Sequence, residues 1–196
     1  MTTGGGLPRR MLGRTGLEVT MLGYGAMALD QARMAPRGLA ISDEQSGQLL
    51  NEVLDCGINF IDTSPDYGSS EELIGRFISQ RRPEYFIATK CGCPVDVPDG
   101  AGGGRDTHVY ARANIVAGVE QSLRRMRTDY LDVVEFHGAP SARRLAEGDA
   151  VEALVDLRQQ GKVRWIGVSS ALPLLPGHIA MGVFDVLQIP YSAPAA

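Results

Sequence analysis

Lysine is nearly absent from this 196-residue chain: of its 19 basic residues only Lys90 and Lys162 are lysines, and the rest are arginines scattered without a basic block. With 23 acidic residues and a net charge of -4, the chain has no electrostatic footprint for nucleic acid. Cysteine is scarce too. Three residues, Cys56, Cys91 and Cys93, are too few and odd in number for a disulfide framework, which fits a reducing compartment. No apolar run reaches the roughly 18–20 residues of a membrane-spanning helix, and Met1 to Arg10 is Gly-rich and basic with no apolar stretch behind it. Nothing in it reads as an export signal, so the expected location is the cytoplasm. The length suits one domain, residues 1–196, with a buried core.

What the sequence does have is a repeating order. Six short apolar, β-branched runs recur at residues 19–27, 58–64, 85–90, 130–137, 163–170 and 184–192. They are continuous rather than alternating, as in strands buried on both faces. Between them lie segments whose apolar residues return every three or four positions, such as Leu49, Leu50, Val53 and Leu54, or Ile115, Val119, Leu123 and Met126. Ser42 or Asp43 is placed to cap the first of these helices and Gly57 to stop it. Ser69 with Glu72 has the spacing of a capping box for the second, and Gly161 ends a later one. Strict alternation predicts parallel βαβ units, preceded by a small hairpin over residues 11–19 that turns at Thr15 and Gly16.

Polar side chains close strand after strand: Asp62, Lys90, His137, Ser169 with Ser170, and Gln188. Ligands bind at the carboxyl edge both of a barrel and of an open doubly wound sheet, but one polar group per strand end favours the barrel, whose ends converge on one mouth. The predicted fold is therefore α/β, an incomplete (β/α) TIM-type barrel of about six parallel strands behind an N-terminal β-hairpin. Its last two βα units are missing, and its open edges would be covered in a homodimer.

Asp62, Tyr67, Lys90 and His137 together make a proton-donating site. A phenol is a poor acid at neutral pH unless a cation lies beside it, and Lys90 supplies one. Asp62 would hold that ammonium in place, and His137 would hydrogen-bond a substrate oxygen. In so arginine-rich a chain, a lysine closing an apolar strand calls for a purpose, because burying it without one costs several kcal/mol. Cys91 and Cys93, with His108 downstream, lack a third and fourth ligand at metal-site spacing, so no metal is expected. The Gly-rich stretch 91–108 suits a lid or substrate-facing loop. The arginines of 122–127 suit a solvated helix C-terminus.

The stretches MLGRTGLEVTMLGYGAM (11–27), GINFIDTSPDYGSSEELIGRFI (57–78), FIATK (86–90), VEQSLRRMRTDYLDVVEFHG (119–138), LRQQGKVRWIGVSS (157–170) and FDVLQIPYS (184–192) resemble the aldo-keto reductases in order, spacing and wording. The resemblance implies NADPH-dependent reduction of an aldehyde or ketone. In that reading Tyr67 is the general acid, Asp62 and Lys90 tune it, and His137 orients the carbonyl. It further implies that Ser169, Ser170 and Gln188 hold the nicotinamide amide, with Gly25 and Met27 beneath the cofactor; Ser170 stands where relatives commonly carry Asn. The family's aromatic stack and phosphate clamp come from loops after strands 7 and 8, so this chain reads as a C-terminally truncated member. Two other functions remain open: a redox-independent isomerase, dehydratase or cyclase using the same tetrad, and a non-catalytic binding subunit.

Overall fold

The computed structural model describes residues 6–95 and 108–192. A two-stranded antiparallel hairpin, β1 (Arg9–Met11) and β2 (Glu18–Thr20), leads into β3 (Tyr24–Gly25), β4 (Phe60–Asp62), β5 (Phe86–Cys91), β6 (Leu131–Phe136), β7 (Val163–Ser169) and β8 (Val186–Gln188). The helices are α1 (Gln31–Met34), α2 (Asp43–Asp55), α3 (Ser70–Phe77), α4 (Arg112–Met126), α5 (Ala142–Glu147), α6 (Ala150–Gln159) and α7 (Leu175–Met181). Among the described residues no helix is long and apolar enough to cross a membrane.

Strand order decides between the two architectures. All pairs among β3 to β8 are parallel, and their spatial order is their order in the chain. A doubly wound sheet must reverse its order at a switch point, whereas a barrel never does. The sheet also curls. Gln188, at the end of β8, donates to Asp62 Oδ1 at the end of β4 across 3.1 Å. In a flat sheet with three strands between them, those ends would lie roughly 19 Å apart at about 4.8 Å per strand. The result is the predicted incomplete TIM-type barrel, with β3 and β8 as edge strands among the described residues.

Strand alternation sorts the side chains into two layers. Ile87 and Cys91 of β5, and Val134 and Phe136 of β6, join the outer core beneath the helices. Ala88, Val133 and Val186 form a small inner cluster with Leu12, Phe60 and Trp165 packed against it. Lys90 lies two residues beyond Ala88 and Glu135 two beyond Val133, so both extend the inner face toward the carboxyl mouth. The hairpin packs against the sheet through Arg14, whose backbone and side chain bond to Asp185, and through Thr20 N, which donates to Asn59 Oδ1 at 2.7 Å.

Two local expectations fail. The run 19–27 is two elements: β2 belongs to the hairpin, Met21 and Leu22 are exposed, and only Tyr24–Gly25 joins the sheet. Gly23 is the joint between them, and a Cβ there would come within 3.1 Å of Phe60. Ser69 does precede α3, but its hydroxyl makes no cap bond, because its backbone (φ -80, ψ 8) lacks the extended conformation a cap requires, and Glu72 pairs with Arg125 Nε at 2.6 Å instead of reaching back. The capping box is real in α2, where Ser42 and Gln45 bond reciprocally. Most of the expected lid, residues 96–107, lies outside the described residues.

Candidate active site

The centre of the site is a buried ammonium. Lys90 Nζ lies on the inner face beside its strand partner Glu135, 3.2 Å from Glu135 Oε2, donates to Thr63 O at 3.3 Å and is hydrogen-bonded to Asp62 Oδ1. Its side chain is 1% exposed, and an ion buried that deeply survives only if paired. Burial alone would discharge the lysine; the fields of Glu135 and Asp62 outweigh it and hold the group above the ordinary lysine range. Glu135 is pushed up by burial, with Lys90 pulling the other way. Two carboxylates thus share one ammonium.

Tyr67 sits in the loop that leaves β4, its backbone N–H bonded to Ser64 O at 3.0 Å and the Arg33 guanidinium 5.8 Å from its ring centre. Here the expectation of a phenol made acidic is corrected. Burial raises its pKa most, Lys90 and Arg33 lower it, Asp62 and Asp66 raise it, and the net direction is up. The ammonium's field opposes the rise, but desolvation is the larger effect.

His137 follows β6 directly, held by its backbone N–H to Cys91 O at 3.0 Å. Its ring meets that of Tyr67 edge-on at 6.3 Å, and its Nδ1 lies 3.2 Å from Asp66 Oδ2 and 3.4 Å from Cys93 Sγ. Burial would raise the Asp66 carboxyl, but hydrogen bonds from His108, His137 and Cys93 carry it well below the usual carboxylate range. The Cys93 thiol is pushed up by burial.

Met27, Tyr67, His137, Ser169 and Ser170 line one cavity of about 370 Å³. Gly25, Asp62 and Gln188 line a neighbouring hollow of about 560 Å³, and Lys90 is buried at Asp62. Ser170 Oγ is 2.8 Å from His178 Nδ1, and His178 Nε2 is 2.6 Å from Pro140 O. A carbonyl only accepts, so Nε2 donates, and in the neutral ring the serine hydroxyl donates to Nδ1, with Ala171 O a longer second partner at 3.4 Å. Ser170 Oγ therefore keeps its lone pairs as acceptors. The amide of Gln188, in contrast, already donates to Asp62.

Two residues of this constellation lie outside the expected set. Glu135 could have been found by period-2 reasoning, as the ionisable residue two before His137 in an apolar strand. Asp66 precedes Tyr67, but nothing in the sequence ties it to His108 and His137, which are far along the chain.

A family model described as the aldo/keto reductase family matches residues 21–173. The chain belongs to this family. It is 34% identical over 167 residues to the uncharacterized oxidoreductase YqkF of Bacillus subtilis, and 31% identical over 171 residues to the L-galactose dehydrogenase of Arabidopsis thaliana. Each alignment covers 84% of this chain and 49% of the relative, so the chain spans about half the length of the curated relatives it matches. Among solved structures it resembles the aldo-keto reductase AKR11C1 from Bacillus halodurans, in its holo form, with a TM-score of 0.77 and 26% identity over 95% of this chain and 58% of that one. The glycerol dehydrogenase AKR11B4 from Gluconobacter oxydans matches with a TM-score of 0.74 and 26% identity, over 93% of this chain and 55% of that one.

Proposed function

We propose that this chain carries the carbonyl-reducing site of an NADPH-dependent aldo-keto reductase, with Tyr67 as the proton donor. The observation that carries the reading is Lys90, a buried ammonium tied to Asp62 and Glu135 at the mouth of a partial barrel, with Tyr67 on the loop that leaves the strand bearing Asp62. The cavity suits the nicotinamide end of the cofactor: Ser170 Oγ is left as an acceptor for a carboxamide N–H, with Ser169 beside it and Met27 across the opening. Bound NADPH would supply the hydride.

The chain's own residues supply the rest. A carbonyl oxygen near Tyr67 and His137 sits within reach of both a phenol and an imidazole. As alkoxide character develops there, Tyr67 gives up its proton. The phenol's raised pKa keeps that proton in place until then, and an alkoxide is a far stronger base than a phenolate, so the transfer still runs downhill. Lys90 then faces the phenolate charge in a site of low dielectric, where that attraction counts most. Asp62 and Glu135 keep the ammonium charged and fixed.

The test is NADPH fluorescence on mixing, followed by aldehyde reduction. Tyr67→Phe should keep NADPH binding and lose about 10²–10⁴-fold in turnover. No binding at millimolar NADPH, or full turnover in Tyr67→Phe, ends the reading.

A further inference from the structure

Asp66, Cys93, His108 and His137 come from three different strand-to-helix connections: the loop after β4, the two ends of the connection from β5 to α4, and the residue after β6. One ligand atom from each lies within 4.8 Å of the other three. Asp66 Oδ2 is 3.2 Å from His137 Nδ1 and 3.4 Å from His108 Nε2, and His137 Nδ1 is 3.4 Å from Cys93 Sγ. A tetrahedral ion with bonds of about 2.0–2.3 Å has ligand-to-ligand edges of roughly 3.3–3.8 Å. Three edges of such a tetrahedron therefore already stand near their final length, and the remaining ones need close by about 1.5 Å at most.

We infer that these four side chains bind a single divalent cation of the zinc type. The donor set, two imidazoles, one sulfur and one carboxylate, suits zinc or cobalt and not magnesium or calcium, which take oxygen ligands. The charges agree: carboxylate and thiolate together neutralise a dication, and the thiol proton leaves to solvent as the metal–sulfur bond forms.

The surroundings hold the ligands where an ion needs them. Val109 N donates to Gly92 O at 2.7 Å, and Asn114 Nδ2 donates to Cys93 O at 3.0 Å and to Val109 O at 2.9 Å, pinning both ends of the β5–α4 connection together. Tyr110 stacks on the His108 ring at 6.2 Å and donates its hydroxyl to His137 O at 2.5 Å. Asp66 N bonds Ser64 Oγ at 3.2 Å. Such outer contacts orient ligands and set their basicity. Cys93 and His108 are buried, while the 370 Å³ cavity, lined in part by Asp66, His108 and His137, offers an entry path. Cys91 stays out because it faces the outer core. The sequence shows only the CGC motif and His108; the missing ligands are supplied by the fold.

An ion here would act on the catalytic imidazole. In a neutral ring that donates Nδ1–H to Asp66, Nε2 can only accept a hydrogen bond, which a carbonyl oxygen cannot answer. A metal on Nδ1 leaves the ring proton on Nε2 and makes it a donor.

Cobalt(II) tests this without turnover, so failure here leaves the reductase reading standing. Chelator-treated protein should take up one equivalent of Co²⁺ and develop the visible bands of a tetrahedral site together with a thiolate-to-cobalt charge-transfer band. Cys93→Ser should lose the charge-transfer band, and Cys91→Ser and Cys56→Ser should keep it. Asp66→Asn, which preserves shape should Cys93→Ser fail to fold, should weaken cobalt binding by at least the roughly 10–100-fold that an outer-shell partner is worth. Wild-type protein that takes up no stoichiometric cobalt, a charge-transfer band that survives Cys93→Ser, or unchanged affinity in Asp66→Asn would overturn the inference.

Discussion

The two ends of the central strands handle buried charge in opposite ways. At the amino end, Asp132 is fully enclosed and satisfied: Oδ2 accepts from Arg82 Nη2 at 2.6 Å and from Ile87 N at 3.0 Å, and Oδ1 accepts from Arg164 Nη1 at 3.0 Å. The same two guanidiniums lie against the Tyr130 ring, at 4.2 and 3.8 Å from its centre. At the carboxyl end, Lys90 must serve both Asp62 and Glu135, while Tyr67 and Asp66 stand close by. One end gives a single carboxylate two guanidiniums and a backbone N–H, and has a clear structural purpose. The other has a surplus of carboxylate held around a single ammonium, an arrangement that fits the proton transfer proposed for this site. In a barrel the former is where stability is built and the latter where chemistry sits.

Several substitutions sharpen that contrast. Lys90→Met should be the most damaging: it strands two carboxylates, costs about 3–5 kcal/mol and abolishes turnover, measured by urea unfolding and an NADPH assay. Asp132→Asn should cost a similar 3–5 kcal/mol, by leaving Arg82 buried without its charge partner, yet the remaining folded protein should keep NADPH binding. If it lost binding and stability in parallel, the two ends would not be separable. Glu135→Gln should cost far less than Lys90→Met, because it leaves one ammonium with one carboxylate; a midpoint shift as large as that of Lys90→Met would refute the shared-ammonium picture.

The smallest effect belongs to Glu71, which lies between the ends on α3 and accepts from Thr89 Oγ1 at 2.7 Å. Burial raises its carboxyl above the ordinary glutamate value. Its contribution to stability is therefore complete below that ordinary value and is lost as pH rises through the raised one. Urea midpoints should fall over that window in the native chain and fall less in Glu71→Gln.

How much of this was legible beforehand depends on the range of the interactions involved. The inner strands announced themselves because both faces are buried, which leaves runs rich in apolar, β-branched residues; 131–136 is buried throughout, with Asp132 and Glu135 as its two charged interruptions. The helix α2 was readable from its cap and spacing. Short helices were not: α5 and α7 have six and seven residues, too few for a periodic stripe. The division of 19–27 turns on one glycine packed against Phe60, a contact between distant segments. Asp62, Tyr67, Lys90 and His137 were marked by their places at and just after strand ends and by family likeness, but the company they keep was not. Glu135 lies opposite Lys90 only through strand register, and Asp66 meets two histidines only because three loops converge.

One hydrogen bond also bears on how the chain folds. Among the described residues every sheet pairing joins strands that follow one another in sequence, so the βα units can assemble in turn, although each parallel pair must close a whole crossover connection, which is slower than helical contact. The bond from Gln188 to Asp62 spans 126 residues and forms only after four successive pairings have bent the sheet. Loop closure over that length costs little more than over half of it. What delays the bond is curvature, so its appearance marks the moment at which a growing ribbon becomes a vessel.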